Sequence, residues 1–79
     1  MNLISSVQVA HSGRTFEIRV YEDCGDYFVA GYEKEEQKTA GYIVKMEVGF
    51  DFRTYHGTWA HDHLVNAVND DIRSGRVAP

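Results

Sequence analysis

The apolar residues of this chain change period once, and that change limits the fold more than any other feature. As far as Phe50 they alternate with polar residues, the period-two pattern of strands with one buried face. From Thr58 to Ser74 they fall at Ala60, Leu64, Ala67, Val68 and Ile72, which is the i, i+4, i+7, i+8, i+12 stripe of an amphipathic helix. All strands therefore precede one helix, and no helix stands between strands to carry a parallel crossover.

Glycines punctuate the strand region, because the single proline is Pro79. "LISSVQVA" alternates Leu3, Ser5, Val7 and Val9 against Ile4, Ser6, Gln8 and Ala10, and "HSGR" follows as a tight turn with Ser12-Gly13 at its positive-φ position. "TFEIRVYE" sets Phe16, Ile18 and Val20 against Glu17, Arg19 and Tyr21, and "DCGD" turns the chain again around Gly25. The third strand, "YFVAGYEKE", is apolar on both faces and so suits a central position; Tyr27, Val29 and Gly31 compete with Phe28, Ala30 and Tyr32 for the core side. Six of the seven residues from Glu33 to Thr39 are charged or amide, which makes this stretch a solvated hairpin tip or loop. "YIVKMEVGFDF" is the fourth strand, with Tyr42, Val44, Met46, Val48 and Phe50 on one face and Gly49 at a bulge or bend. Thr58 is the expected N-cap of the helix after Gly57, with Asp62 near its positive end, Arg73 near its negative end and Gly75 just beyond it.

The predicted fold is α+β: a four-stranded antiparallel β-meander followed by one C-terminal helix packed on one face, a ββββα two-layer sandwich, in one domain spanning 1–79. The predicted core is Val7, Val9, Phe16, Ile18, Val20, Val44, Met46, Val48, Leu64, Val68 and Ile72, with Trp59 anchoring the helix start. An apolar fraction of 43% and five Tyr, four Phe and one Trp fit a folded chain rather than a disordered one. A domain of this size buries only about 60–65% of its unfolded surface. Cys24 is the only cysteine, so no disulfide forms within the chain, and self-association is the cheapest remaining source of extra burial.

The strand-then-helix order resembles the small antitoxin domains of the HicB type, whose Pro-x-x-Pro-Gly-like segment is replaced here by "EKEEQKTAG". It is also similar to the end of the double-stranded-RNA-binding domain. That family begins with a helix and has a Lys-rich start to its last helix, where this chain has "TWAHDH". No residue role is carried over from either.

Charge argues against nucleic acid. The net charge is −4, and Arg14, Arg19, Lys34, Lys38, Lys45, Arg53, Arg73 and Arg76 form no basic stripe for phosphate contacts. "MNLISSVQVAHSGR" lacks the basic and continuously apolar regions of a signal peptide, and no stretch reaches the ~18 apolar residues of a membrane span. A reducing, cytoplasmic location is expected, and the compactness suggests a small bacterial or phage-encoded regulator.

"YHGTWAHDH" concentrates three histidines and the one tryptophan. A zinc site needs three or four converging ligands. His61 and His63, two apart on a helix, point about 200° away from each other. A His56–His61 pair lacks a third ligand. The expectation is therefore an ordinary helix start, with no metal and no other cofactor. Cys24 sits between Asp23 and Asp26, a poor setting for a thiolate nucleophile. Asp70 and Asp71 point about 100° apart and read as a solvated helix face rather than a carboxylate dyad. No glycine-rich phosphate loop is present, no small-molecule substrate is evident, and no enzymatic activity is expected.

One helix covers one face of a four-stranded sheet. On the other face Glu17, Arg19, Lys45 and Glu47 are polar, yet Tyr21 and Ile43 join them, together with residues of the third strand. An aromatic and aliphatic patch flanked by both signs of charge is suited to docking. Arg19, Tyr21, Ile43 and Lys45 are the expected interaction residues. The expected function is a non-enzymatic protein-interaction or regulatory module, using this face or an edge strand, with a protein partner or a second copy of itself. The alternatives are a nucleic-acid-binding accessory using the same face and a metal-binding protein centred on His56 and His61.

Overall fold

Three consecutive two-residue turns lay down the sheet. Both central residues of each have positive φ, at Ser12 and Gly13 (52° and 77°), Cys24 and Gly25 (50° and 84°), and Lys34 and Glu35 (51° and 68°). That is the type I′ geometry, whose twist matches the twist of a hairpin. The computed structural model, which describes all 79 residues, joins β1 (Asn2–His11), β2 (Arg14–Asp23), β3 (Asp26–Glu33) and the short β4 (Glu36–Gln37) through these turns. Every pairing is antiparallel, and β1 carries a bulge between Leu3 and Ser5.

The chain then leaves the ladder for four residues and returns as β5 (Tyr42–Lys45), against the other end of β3. The break is built by side chains. Thr39 turns inward and is buried, and its Oγ1 accepts the Gly31 N–H at 2.9 Å in place of a backbone carbonyl. Gly31 makes room for it, since a Cβ there would lie 2.9 Å from Thr39 Cγ2.

The expected fourth strand runs from Tyr42 to Phe52, but the strand stops at Lys45. Lys45 pairs with Asp26, the first residue of β3, and Met46 N–H donates to the turn residue Gly25 at 2.8 Å. Beyond that point β3 offers no partner. The chain instead forms α1 (Met46–His56) and, after a short connection, α2 (Ala60–Arg73), so there are two helices rather than one. Gly49 lies inside α1 against the Tyr27 ring, not at a bulge. Trp59, not Thr58, is the N-cap of α2; Thr58 Oγ1 shares a hydrogen bond with His63 Nε2 at 3.0 Å. The other end follows expectation. Gly75 takes φ 81°, its N–H donates to the Ile72 carbonyl at 3.2 Å, and Arg76 N–H donates to the Asp71 carbonyl at 2.8 Å, a complete Schellman cap.

Helix α2 lies across β2 and β3. Val68 and Ile72 meet Val9, Phe16, Ile18, Val20, Tyr27 and Val29, and Tyr42, Val44, Met46, Leu64, Val65 and Val77 rim this core. The third strand therefore directs Tyr27, Val29 and Gly31 inward. Two expected core residues lie outside it. Val7 is on the edge strand beyond the helix, and Val48 is on the solvent side of α1. The C-terminal tail is tied across the sheet: Ala78 N–H donates to the Lys38 carbonyl at 2.8 Å, and Arg14 Nη2 donates to the Ala78 carbonyl at 3.0 Å. No helix is long and apolar enough to cross a membrane.

Candidate functional site

Both helices sit on the core side of the sheet, α2 against β2 and β3 and α1 with Gly49 against Tyr27. The opposite face is built by register. The turn at Cys24-Gly25 sets Tyr21 opposite Phe28, β5 sets Ile43 opposite Phe28, and β1 sets Leu3 opposite Tyr21. Residues directly opposite share a face. Leu3, Tyr21, Phe28 and Ile43 thus form one apolar row crossing four strands. Its two ends are open, Leu3 being 52% and Ile43 66% exposed.

A second row lies beside it. Arg19 is opposite Ala30, which is fully buried although it lies on the outer face. The Arg19 guanidinium lies 4.6 Å from the Tyr32 ring centroid and donates to Glu17, to Tyr21 Oη at 3.1 Å and to Glu35 at 2.6 Å. Tyr21 and Tyr32 meet edge to face at 6.1 Å. These bonds, the one to Glu35 first, raise the Arg19 pKa further above its ordinary value, and Arg19 in turn lowers that of Glu35. Burial pushes the Tyr32 phenol up. The charge of Arg19 is therefore committed within the protein: it orients Tyr21 and Tyr32 and props up the tip of the β3–β4 hairpin. Lys45 lies at the end of the same face, opposite Asp26.

All four expected residues, Arg19, Tyr21, Ile43 and Lys45, lie on this face. Sequence reasoning missed Leu3, because the bulge in β1 moves it from the side of Val7 to the side of Tyr21. It left Phe28 and Tyr32 undecided, although a two-residue turn at Cys24-Gly25 is enough to place both.

The three clustered histidines lie beside aromatic rings: the exposed His56 and His63 have ring centroids 4.3 and 5.2 Å from that of Phe52, and the His61 centroid lies 4.5 Å from Tyr27 and 5.5 Å from Trp59. His56 and His61 thus turn to different rings, and no group of three or more His, Cys, Asp or Glu side chains is placed to hold a metal ion. Cys24 is exposed in its turn. Asp71 corrects the reading of Asp70-Asp71 as a wet face. It is buried, accepting from Tyr42 Oη at 2.5 Å and Arg76 Nε at 2.8 Å.

A cavity of about 210 Å³ lies between the first hairpin and the end of α2, lined by His11, Ser12, Arg14, Phe16, Ile72, Gly75 and Val77. It is smaller than the ~300 Å³ at which ligand pockets begin. Its one strong donor, Arg14, is already bonded to both Glu33 oxygens, at 3.1 and 2.7 Å. The uncovered sheet face is the better candidate. No family model matches the chain, and no curated protein or solved structure matches it.

Proposed function

We propose that this chain is a non-enzymatic protein-interaction module that docks a protein partner on the uncovered face of its sheet. The row Leu3–Tyr21–Phe28–Ile43 carries this reading, because it is an apolar strip with open ends on a face that no helix covers. The bonded Arg19 holds Tyr21 and Tyr32 in fixed orientations beside it. Rigid aromatic side chains lose little entropy on docking and are favoured as anchors. The same face suits nucleic acid less well. Glu17 and Glu35 neutralise its central cation, and phosphate binding draws its affinity from free cations.

Affinity capture from a host lysate with wild type, Ile43→Asp and Val48→Asp tests the reading. Val48 is also exposed but lies on α1. The expected result is a set of proteins held by wild type and Val48→Asp and lost with Ile43→Asp. Equal capture by wild type and Ile43→Asp removes the proposal. Salt-sensitive binding of a single-stranded oligonucleotide would favour the nucleic-acid alternative.

A further inference from the structure

We infer that β1 is a dimerisation edge, through which two copies of this chain pair antiparallel about a two-fold axis at Gln8, joining their sheets into one. This goes beyond the docking face, which can stand or fall separately.

The two edges of the sheet are built differently. Along the outer side of β3 the edge is broken. It has a two-residue strand, a four-residue interruption around buried Thr39, and the charged residues Glu36, Lys38 and Lys45. Short strands, interruptions and charges are the devices that keep edges from pairing with other chains. The β1 edge lacks most of them. It is ten residues long, and nothing from Asn2 to Ala10 is charged or proline.

The unpaired groups of this edge follow from its hairpin. A two-residue turn makes His11 and Arg14 a hydrogen-bonded pair, and such pairs alternate along an antiparallel ladder. Val9, Val7 and Ser5 therefore bond to β2, while Ala10, Gln8 and Ser6 turn their N–H and C=O groups to the open edge.

A second copy is the occupant that the pattern fits. Two-fold pairing of identical strands brings like residues together, so it fails where a strand carries charge near its centre; this chain, with net charge −4, keeps its charges off β1. The run without a register shift is Ser5 to His11, and its midpoint is Gln8. An amide there can both donate to and accept from its own counterpart. In that register Ser6 and Ala10 of the partner subunit exchange backbone bonds. Val7, which is 48% exposed, gains Val9 of the partner subunit as its neighbour on the core side. Of the exposed large hydrophobic residues, Val7 is the one inside the paired run.

Sedimentation equilibrium over a broad concentration range, with hydrogen exchange on the same samples, tests the inference. The wild type is expected to form a dimer. Amides of Ser6, Gln8 and Ala10 should exchange slowly where the dimer dominates and fast on dilution, while Val7 and Val9 stay slow in both. Gln8→Pro removes a donor that β2 does not use, and Gln8→Lys sets two ammonium groups face to face; each should remain folded by circular dichroism and sediment as a monomer. Should either variant fail to fold, the exchange pattern of the wild type decides alone. A wild type that stays monomeric throughout, or a dimer in which Ser6, Gln8 and Ala10 exchange freely, overturns the inference. A dimer lost in Ile43→Asp but kept in Gln8→Pro also overturns it, and assigns self-association to the open face instead.

Discussion

Asp71 shows how one side chain can tie three parts of a small fold together. It sits on α2, its hydroxyl partner Tyr42 on β5, and its guanidinium partner Arg76 in the tail. The Tyr42 hydrogen bond first, and Arg76 after it, hold the Asp71 carboxyl below its usual range, while the bond to Asp71 pushes the Tyr42 phenol up. A lowered carboxyl contributes stability that is present above the ordinary value of about 4 and lost as pH falls through the lower folded value. A raised phenol contributes stability that is present below about 10 and lost as pH rises through the higher folded value. Thermal midpoints should therefore be level near neutrality and fall on both sides. Tyr42→Phe should lower the thermal midpoint at neutral pH, because the Asp71 carboxylate loses a donor, and make both limbs shallower. It should not abolish them, because Arg14 also lowers Glu33 and burial raises Tyr32. Superimposable midpoint curves for wild type and Tyr42→Phe would contradict this role. Asp71 was legible in principle, since Val68, Asp71 and Ile72 stand at i, i+3 and i+4 on one helix face. Counting only the angle between Asp70 and Asp71 hid it. Cys24 offers a second test at this scale. It holds φ 50° in a type I′ turn, where asparagine is at ease. Cys24→Asn should raise stability by about 0.5–1 kcal/mol, a part of the left-handed cost, measured by urea unfolding.

At the scale of elements, β1, β2, β3 and α2 were readable because periodicity and turn residues agree there. Helix α1 was not. Met46, Val48, Phe50 and Phe52 alternate like a strand, and a helix built from them has apolar groups on several sides, so Val48 and Phe50 remain exposed. What decides is the length of the neighbour: β3 begins at Asp26, and a strand opposite it has nothing to pair with past Lys45. Periodicity cannot register that limit, but the pairing arithmetic can. The interruption at Thr39 was equally hidden, because it depends on contacts with Gly31 and with the Phe28 ring over Gly41. Two glycine substitutions separate these cases. Gly49→Ala should stabilise by about 0.5–1 kcal/mol, since the new methyl would lie 3.5 Å from the Tyr27 ring, an ordinary contact in a helix interior. Gly41→Ala should destabilise by about 1–3 kcal/mol, since its methyl would lie 2.4 Å from Phe28 Cε2. Denaturant midpoints of the two variants moving in the same direction would contradict the assignment of one to a helix and the other to a crowded strand break.

The whole molecule is a sheet clad on one side. Ile72 is held from both layers, and Ile72→Ala should cost about 2–5 kcal/mol. Ile43, on the bare side, should tolerate Asp within about 0.5 kcal/mol; thermal melts of the two variants read this asymmetry directly. That one face lies bare was legible from the count of strands against helical stripes, and the second helix does not alter it, because α1 joins the same side. Which residues line the bare face was only half legible, since the bulge in β1 and the facing of β3 are set by register. Nuclear Overhauser contacts in solution measure that register and that bareness together. The expected pattern links the Tyr21 and Phe28 rings to each other and to the methyls of Leu3 and Ile43, with no contact from this row to any side chain of α1 or α2. Contacts from Phe28 or Ile43 to Leu64, Val68 or Ile72 would put the row inside the core and contradict a docking face.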